Sequence, residues 1–346
     1  MTEPKKDIRA CSKEQLREFF VAQGDQAFRG NQVYEWLWNK GAHHFADMTN
    51  LSKPTRELLE THFVINHIAV DQMQRSSDGT VKNAVRLHDG LVVESVLIPT
   101  QTRTTACVSS QVGCSLDCNF CATARLKRMR NLEPGEIYDQ VVAIDRESRL
   151  YYNRPLSNIV FMGMGEPLMN YPNVIKAIDL ITAEEGLGMS PKRITVSTSG
   201  IPKLIKKMAD DEVKFKLAVS LHSAIDEVRA RIMPFSVNFP LQDLRESLAY
   251  WYQHTKSKIT YEYVVWQGIN DNREAIEALV KFCKYVPCKV NLIEYNPIDD
   301  GEFQQASPEA INQYIQALEK ANIVVKVRRS RGKDIDAACG QLANKS

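Results

Sequence analysis

Apolar positions recur at helical spacing through the first 65 residues and then change to strand-like runs. Ser12-Lys-Glu-Gln15 has the form of a capping box, and Leu16, Phe19 and Phe20 follow at helical intervals. Val33, Trp36, Leu37 and Trp38 predict a second helix that ends near Gly41. Leu58, Leu59 and Phe63 predict a third across 55–63. A small helical bundle with an aromatic core is expected over 1–65.

From 66 to 103 the pattern shortens. Asp78-Gly79 and Asp89-Gly90 are tight-hairpin signals. They separate apolar runs at 68–74, 81–87 and 91–98, which predict an antiparallel meander. From 104 onward strands and helices alternate. Strand runs at 105–109, 158–162, 193–196, 215–219, 259–265 and 289–293 are joined by helical patterns, clearest at 174–181, 241–252, 274–282 and 308–318. Pro134-Gly-Glu-Ile137 opens another helix, and 323–327 reads as a late extra strand. Such alternation predicts an α/β fold with a parallel sheet and helices outside. Six incompletely closed units make a partial (β/α)6 barrel over 104–346. Ligands of such folds bind at the C-terminal ends of the strands.

Composition changes this picture little. The chain has 346 residues, 44% hydrophobic and 25% charged, which excludes disorder and suits one large domain with a smaller one. No apolar run reaches the roughly 18 residues of a membrane helix. The start, Met1-Thr-Glu-Pro-Lys-Lys-Asp, lacks an apolar leader. A soluble cytoplasmic protein with reduced thiols is expected. The net charge of +2 identifies no partner. Two basic knots do more: Arg125, Lys127, Arg128 and Arg130, then Arg328, Arg329, Arg331 and Lys333. Each is either a phosphate-attracting rim or a solvated face.

Candidate chemistry concentrates in Cys114-Ser-Leu-Asp-Cys118-Asn-Phe-Cys121. Thiolates suit zinc and iron–sulfur clusters. Structural zinc takes four closed ligands, typically as two pairs, and no second Cys-x-x-Cys pair exists. Three cysteines leave one iron of a 4Fe–4S cluster without a cysteine. At the ends of later strand runs come Gly163-Met-Gly165-Glu166-Pro167, Ser197-Thr-Ser-Gly200, Ser220-Leu221-His222-Ser223 and Tyr295-Asn296-Pro297. They offer groups for an ammonium, a carboxylate, a ribose or a base, or serve as turns and caps. Cys11, Cys283 and Cys288 read as small buried hydrophobes. For Cys107 that reading and a functional one stand level. Cys339, in a glycine-flanked basic tail, is expected to be exposed with a lowered thiol pKa.

The cysteine spacing resembles the radical S-adenosylmethionine (SAM) superfamily, in which the open iron chelates SAM. Val93-Glu94-Ser95-Val96, Cys107-Val-Ser-Ser-Gln-Val-Gly-Cys114, Gly163-Met-Gly-Glu-Pro167, Ser197-Thr-Ser-Gly200, Ser220-Leu-His222 and Ala338-Cys339-Gly340 occur in order. Together they resemble the RlmN/Cfr family of dual-cysteine radical SAM RNA methyltransferases, across nearly the whole chain.

The resemblance implies methylation of an adenine ring carbon in RNA. The target is carbon 2 of an adenosine in large-subunit ribosomal RNA, and in some bacteria the adenosine beside the anticodon of certain tRNAs. Carbon 8, the Cfr type, is the alternative that these motifs leave open. The resemblance assigns the cluster to Cys114, Cys118 and Cys121. It assigns SAM binding to Gly165, Glu166, Ser197, Ser220, Leu221, His222 and Asn296. It implies two SAM per turnover: one methylates Cys339, the other yields a radical that activates that methyl group for addition to the adenine. Glu94 then removes the ring proton, and Cys107 releases the RNA through a transient disulfide. Without the resemblance, Glu94 reads as an ordinary exposed strand residue. A flavodoxin- or ferredoxin-like electron donor and a monomeric enzyme are also expected. The competing functions are a radical SAM enzyme acting on a peptide or small molecule, and a zinc-containing nucleic-acid-binding module.

Overall fold

The computed structural model describes residues 5–298 and 302–344. Met1–Pro4, where the reading of the N-terminus begins, lie outside the described residues. The Ser12 hydroxyl accepts from the Gln15 N–H at 3.1 Å, and the Gln15 side chain accepts from the Ser12 N–H at 2.9 Å. This reciprocal cap starts α1 (Lys13–Ala22). Helices α2 (Phe28–Trp38) and α3 (Lys53–His62) complete the N-terminal unit. Gly30 brings α2 against α1: a Cβ there would lie 2.5 Å from the Arg17 nitrogen.

Arg9 ties this unit to α4 (Pro134–Tyr152). Its guanidinium grips both Asp139 oxygens at 2.7 Å, donates to the Gly135 and Asn66 carbonyls, and stacks over the Trp38 ring. The planar fork suits this bidentate geometry, and the cation–π contact adds to it.

One ten-stranded sheet organises the rest. Its strands are β1 (Ala69–Arg75), β2 (Val81–Arg86), β3 (Val92–Pro99), β4 (Thr104–Cys107), β5 (Asn158–Phe161), β6 (Ile194–Thr198), β7 (Lys216–Ser220), β8 (Ile259–Val264), β9 (Cys288–Ile293) and β10 (Val324–Arg328). Spatial order equals chain order, so no strand is skipped. Pairs from β4 to β10 are parallel; those from β1 to β4 are antiparallel. Successive right-handed crossovers in one direction place the helices on one face and curl the sheet around the other. Crossover helices are α4, α5 (Tyr171–Thr182), α6 (Pro202–Asp210), α8 (Leu241–Thr255), α9 (Arg273–Cys283) and α10 (Pro308–Lys320), with short α7 (Asp226–Ile232) before α8.

The partial barrel is therefore present, with two additions. The late strand is the barrel's edge, bonded in parallel to β9. The meander is continuous with the barrel, because Val96 of β3 pairs with Cys107 of β4. The first barrel strand is also shorter than the 105–109 run. It ends at Cys107 because the Ser109 N–H leaves the ladder for Gln140 Oε1 and its hydroxyl for the Glu94 carbonyl. Among the described residues no helix is long and apolar enough to cross a membrane.

Candidate active site

The loop after β4 is clasped at its base by Gln111–Val112, which pairs with Arg130–Asn131. Between them Cys114, Cys118 and Cys121 line one wall of a cavity shared with the C-terminal ends of the parallel strands. The loop is pinned around α7: the Phe235 N–H donates to Asp117 at 2.8 Å, and the Asn119 amide to the Arg231 carbonyl at 2.9 Å. Among the described residues no trio of His, Cys, Asp or Glu is spaced for a single metal ion.

Burial first, and neighbouring thiols second, push Cys118 well above an ordinary thiol. Burial pushes Cys114 up to about 12, with Cys121 and Glu166 adding to it. Three thiolates here need positive charge among them, and the irons of a cluster supply it. The donor set thus fits a thiolate-bound cluster.

On the opposite wall each turn is built by its own residues. Gly163 and Gly165 make room for protein rather than only for ligand. A Cβ on Gly163 would lie 2.7 Å from the Val108 carbonyl oxygen, and one on Gly165, at φ +92, would lie 2.5 Å from Gln111 Cβ. Glu166 is buried, and its carboxylate accepts from Leu168 N–H at 3.1 Å and Ser199 N–H at 2.8 Å. Burial raises its pKa, and these bonds partly restrain the rise. Ser197, Ser220, His222 and Asn296 also face the cavity. His222 Nδ1 accepts from the Val264 N–H at 3.2 Å, and its ring packs on Phe120 and Trp266. Burial, then Arg229, lowers it to about 3, so it is neutral at physiological pH. Among the described residues Asn296 Oδ1 is buried without a hydrogen-bond partner, an acceptor suited to a ligand N–H.

Leu221 is not among the cavity-lining residues. Its side chain is in the core, its N–H donates to the Glu262 carbonyl, and its carbonyl accepts from Ser223 and Arg229. Its identity serves packing.

Of the remaining cysteines only Cys339 lines the cavity among the described residues. Cys339 is exposed at the rim of the cavity. Desolvation nevertheless pushes its thiol up, and Arg328 offsets only part. The lowered pKa expected from a basic tail is therefore corrected: Arg331 and Lys333 turn to Asp78 and Glu294 at 3.8 and 2.9 Å. Cys107 is buried and pushed up to about 12, first by desolvation, then by Cys339. Cys107 and Cys339 thus lie within each other's electrostatic reach, with Arg328 acting on both.

Glu94 is buried rather than exposed, another reversal of the residue-level reading. It pairs with Lys82 at 3.2 Å and accepts the Ala343 and Asn344 N–H groups at 2.8 and 3.1 Å. In the first basic knot, Arg130 is taken by Asp89 and Glu136 at 2.6 and 2.8 Å. Lys82 and Glu262 carry no motif that marks them as site groups, whereas Arg328 belongs to the second basic knot. Glu262 and Arg328 line the cavity 3.7 Å apart. A charged residue inside an apolar strand run was the available signal for Lys82 and Glu262.

Comparison with known proteins agrees with this layout. Residues 6–65 match a family model described as the ribosomal RNA large subunit methyltransferase N-terminal domain, and 108–283 match the radical SAM superfamily. A Flavobacterium johnsoniae protein described as a "probable dual-specificity RNA methyltransferase RlmN" is 83% identical, over 99% of this chain and 98% of its own. A Geotalea uraniireducens protein described as a dual-specificity RNA methyltransferase RlmN is 43% identical, over 98% of this chain and 96% of its own. The crystal structure of a radical SAM methyltransferase from Sphaerobacter thermophilus superposes with a TM-score of 0.91 at 37% identity, covering 98% of this chain and 100% of that one. With a three-cysteine loop at the mouth of a partial barrel and relatives matching end to end, the chain belongs to the RlmN family of radical SAM RNA methyltransferases.

Proposed function

We propose that this protein methylates carbon 2 of an adenosine in large-subunit ribosomal RNA and of the adenosine beside the anticodon in certain tRNAs, consuming two SAM per turnover. The observation that carries this reading is Cys339 on the cavity shared with Cys114, Cys118 and Cys121, with buried Cys107 within its electrostatic reach. Carbon 2 of adenine is electron-poor and has no lone pair, so it cannot attack a methyl sulfonium directly.

Cys114, Cys118 and Cys121 would hold a 4Fe–4S cluster, which with SAM would supply the one-electron chemistry that activates an S-methyl group for joining to the ring and takes back the one electron left over when the ring proton is lost. The chain's own residues do the rest. Cys339 loses its proton and takes a methyl group from the first SAM. Once a methylene bridge links its sulfur to the adenine, Glu94 accepts the ring proton. The Cys107 thiolate attacks the Cys339 sulfur, the S–CH2 bond breaks, and its electron pair passes to the carbon, which takes a proton to become the methyl group. The Cys107–Cys339 disulfide that forms is reduced by two electrons from a cytosolic thiol. Gly165, Glu166, Ser197, Ser220, His222 and Asn296 hold SAM. Leu221 is retained only as packing support.

The N-terminal unit over 1–65 contacts the RNA, a role supported by its match to the methyltransferase N-terminal model. The 66–103 meander carries Glu94, and 104–346 forms the barrel. The enzyme works as a cytoplasmic monomer reduced by a flavodoxin- or ferredoxin-like donor.

The test is a pair of variants. Cys107→Ala is expected to trap a covalent protein–RNA adduct, and Cys339→Ala to form neither adduct nor methylated RNA. Undiminished methylation by Cys339→Ala ends the proposal. Mass spectrometry of digested RNA separates 2-methyladenosine from the 8-methyladenosine of the alternative.

A further inference from the structure

The Lys82–Glu94 pair is out of reach of water, with side chains 5% and 2% exposed and Nζ 3.2 Å from Oε1. Burying two charges costs desolvation that their attraction scarcely offsets, and apolar residues of similar size are often at least as stable. The pair therefore calls for a reason other than stability.

Strand register supplies it. Ala84 of β2 lies opposite Glu94, and Val96 of β3 lies opposite Cys107. With a two-residue period, Lys82, Glu94 and Cys107 share one face of the sheet. The opposite face turns to α4, where Asn83 donates to both Glu147 oxygens and Arg130 holds Glu136. The groups meeting the Glu94 carboxylate are thus Lys82 on Oε1 and the Ala343 and Asn344 N–H groups on Oε2, with Cys107 two ladder positions along.

We infer that Lys82 is a positioning residue for Glu94: it fixes Oε1 and leaves Oε2 as the acceptor edge. The inference rests on the proposed role of Glu94 as base. The two tail N–H groups mark the edge on which the incoming proton is received.

Lys82→Met and Lys82→Arg are compared with Glu94→Gln. Lys82→Met is expected to methylate Cys339 and release 5′-deoxyadenosine normally. Its ratio of trapped adduct to released methylated RNA should rise about tenfold or more, approaching that of Glu94→Gln. Lys82→Arg should restore release, and adding Lys82→Met to Glu94→Gln should change nothing further. A readout without cluster or RNA is isotope-edited infrared spectroscopy of the glutamate carbonyls. Lys82→Met should shift the Glu94 carboxylate stretch, the band that Glu94→Gln removes, because Oε1 loses its fixed partner. If Lys82→Met fails to fold, Lys82→Gln takes its place. Wild-type partition and an unshifted carboxylate band in the Lys82 variant, while Glu94→Gln still traps the adduct, overturn the inference and leave the base assignment standing. Failure of Glu94→Gln to trap the adduct removes both.

Discussion

Asn296 donates through Nδ2 to the Cys339 carbonyl at 3.2 Å, so the segment after β9 grips the strap that carries the rim thiol. The grip continues along the strap. Ala122 N–H reaches the Gly340 carbonyl at 2.7 Å, and the Thr123 hydroxyl reaches the Leu342 carbonyl at 2.6 Å. These two residues follow directly on Cys121, so the strap is sewn to the end of the cysteine loop. Asn296 therefore has a donor committed to the protein and a buried acceptor left over.

That division predicts the effect of removing the amide. Asn296→Leu should weaken SAM binding to the reconstituted enzyme by about tenfold, the value of one buried hydrogen bond. Calorimetric titration with SAM checks it. Unchanged affinity would mean that Oδ1 does not meet the ligand.

His222 makes stability depend on pH. Its folded-state pKa of about 3 lies below the ordinary histidine value, so between these the unfolded chain binds the extra proton. Stability is fully present above the ordinary value and falls as pH drops toward about 3, at about 1.4 kcal/mol per pH unit for this one group. Urea midpoints from pH 7 to pH 5 should decline more steeply in the wild type than in His222→Gln. Equal slopes would show that His222 is not held neutral.

Gly165 should tolerate no side chain. At φ +92 with Gln111 Cβ only 2.5 Å from the position of a new Cβ, Gly165→Ala combines backbone strain with a clash. A loss on the order of 3 kcal/mol is expected. Gly90→Ala is the control: its φ is +84 but nothing lies within 4 Å, so about 1 kcal/mol is expected. Denaturant midpoints measured in parallel decide between strain alone and strain with overlap.

Arg9→Met should strand Asp139 without its partner at the junction between the N-terminal unit and α4. The pair is 5% and 17% exposed, and breaking such a pair costs about 3–5 kcal/mol. Arg9→Met with Asp139→Leu should recover more than half of that loss, because no lone charge remains buried. A double variant no better than the single one would place the cost in the Trp38 stacking and the carbonyl contacts instead.

Much of the fold is legible in the linear chain because its signals are local. The Ser12 cap, the two Asp-Gly hairpins and the alternation beyond 104 each act within a few residues, and each element appears where its signal lies. Helices α6 and α7 left weaker traces. They are short, and α6 interleaves lysines with its buried Ile205 and Met208.

The three thiols of the cysteine loop stand close in the chain, so no folding is needed to recognise their chemistry, and covalent proximity alone determined that part of the site. Only the folded sheet decided that Glu94 is dry and faces Lys82, that Cys107 comes within the field of Cys339, and that Leu221 points into the core. Those relations depend on which strands lie side by side and in what register. Desolvation and Coulomb forces act through space, and the linear order of residues carries no distance between positions so far apart.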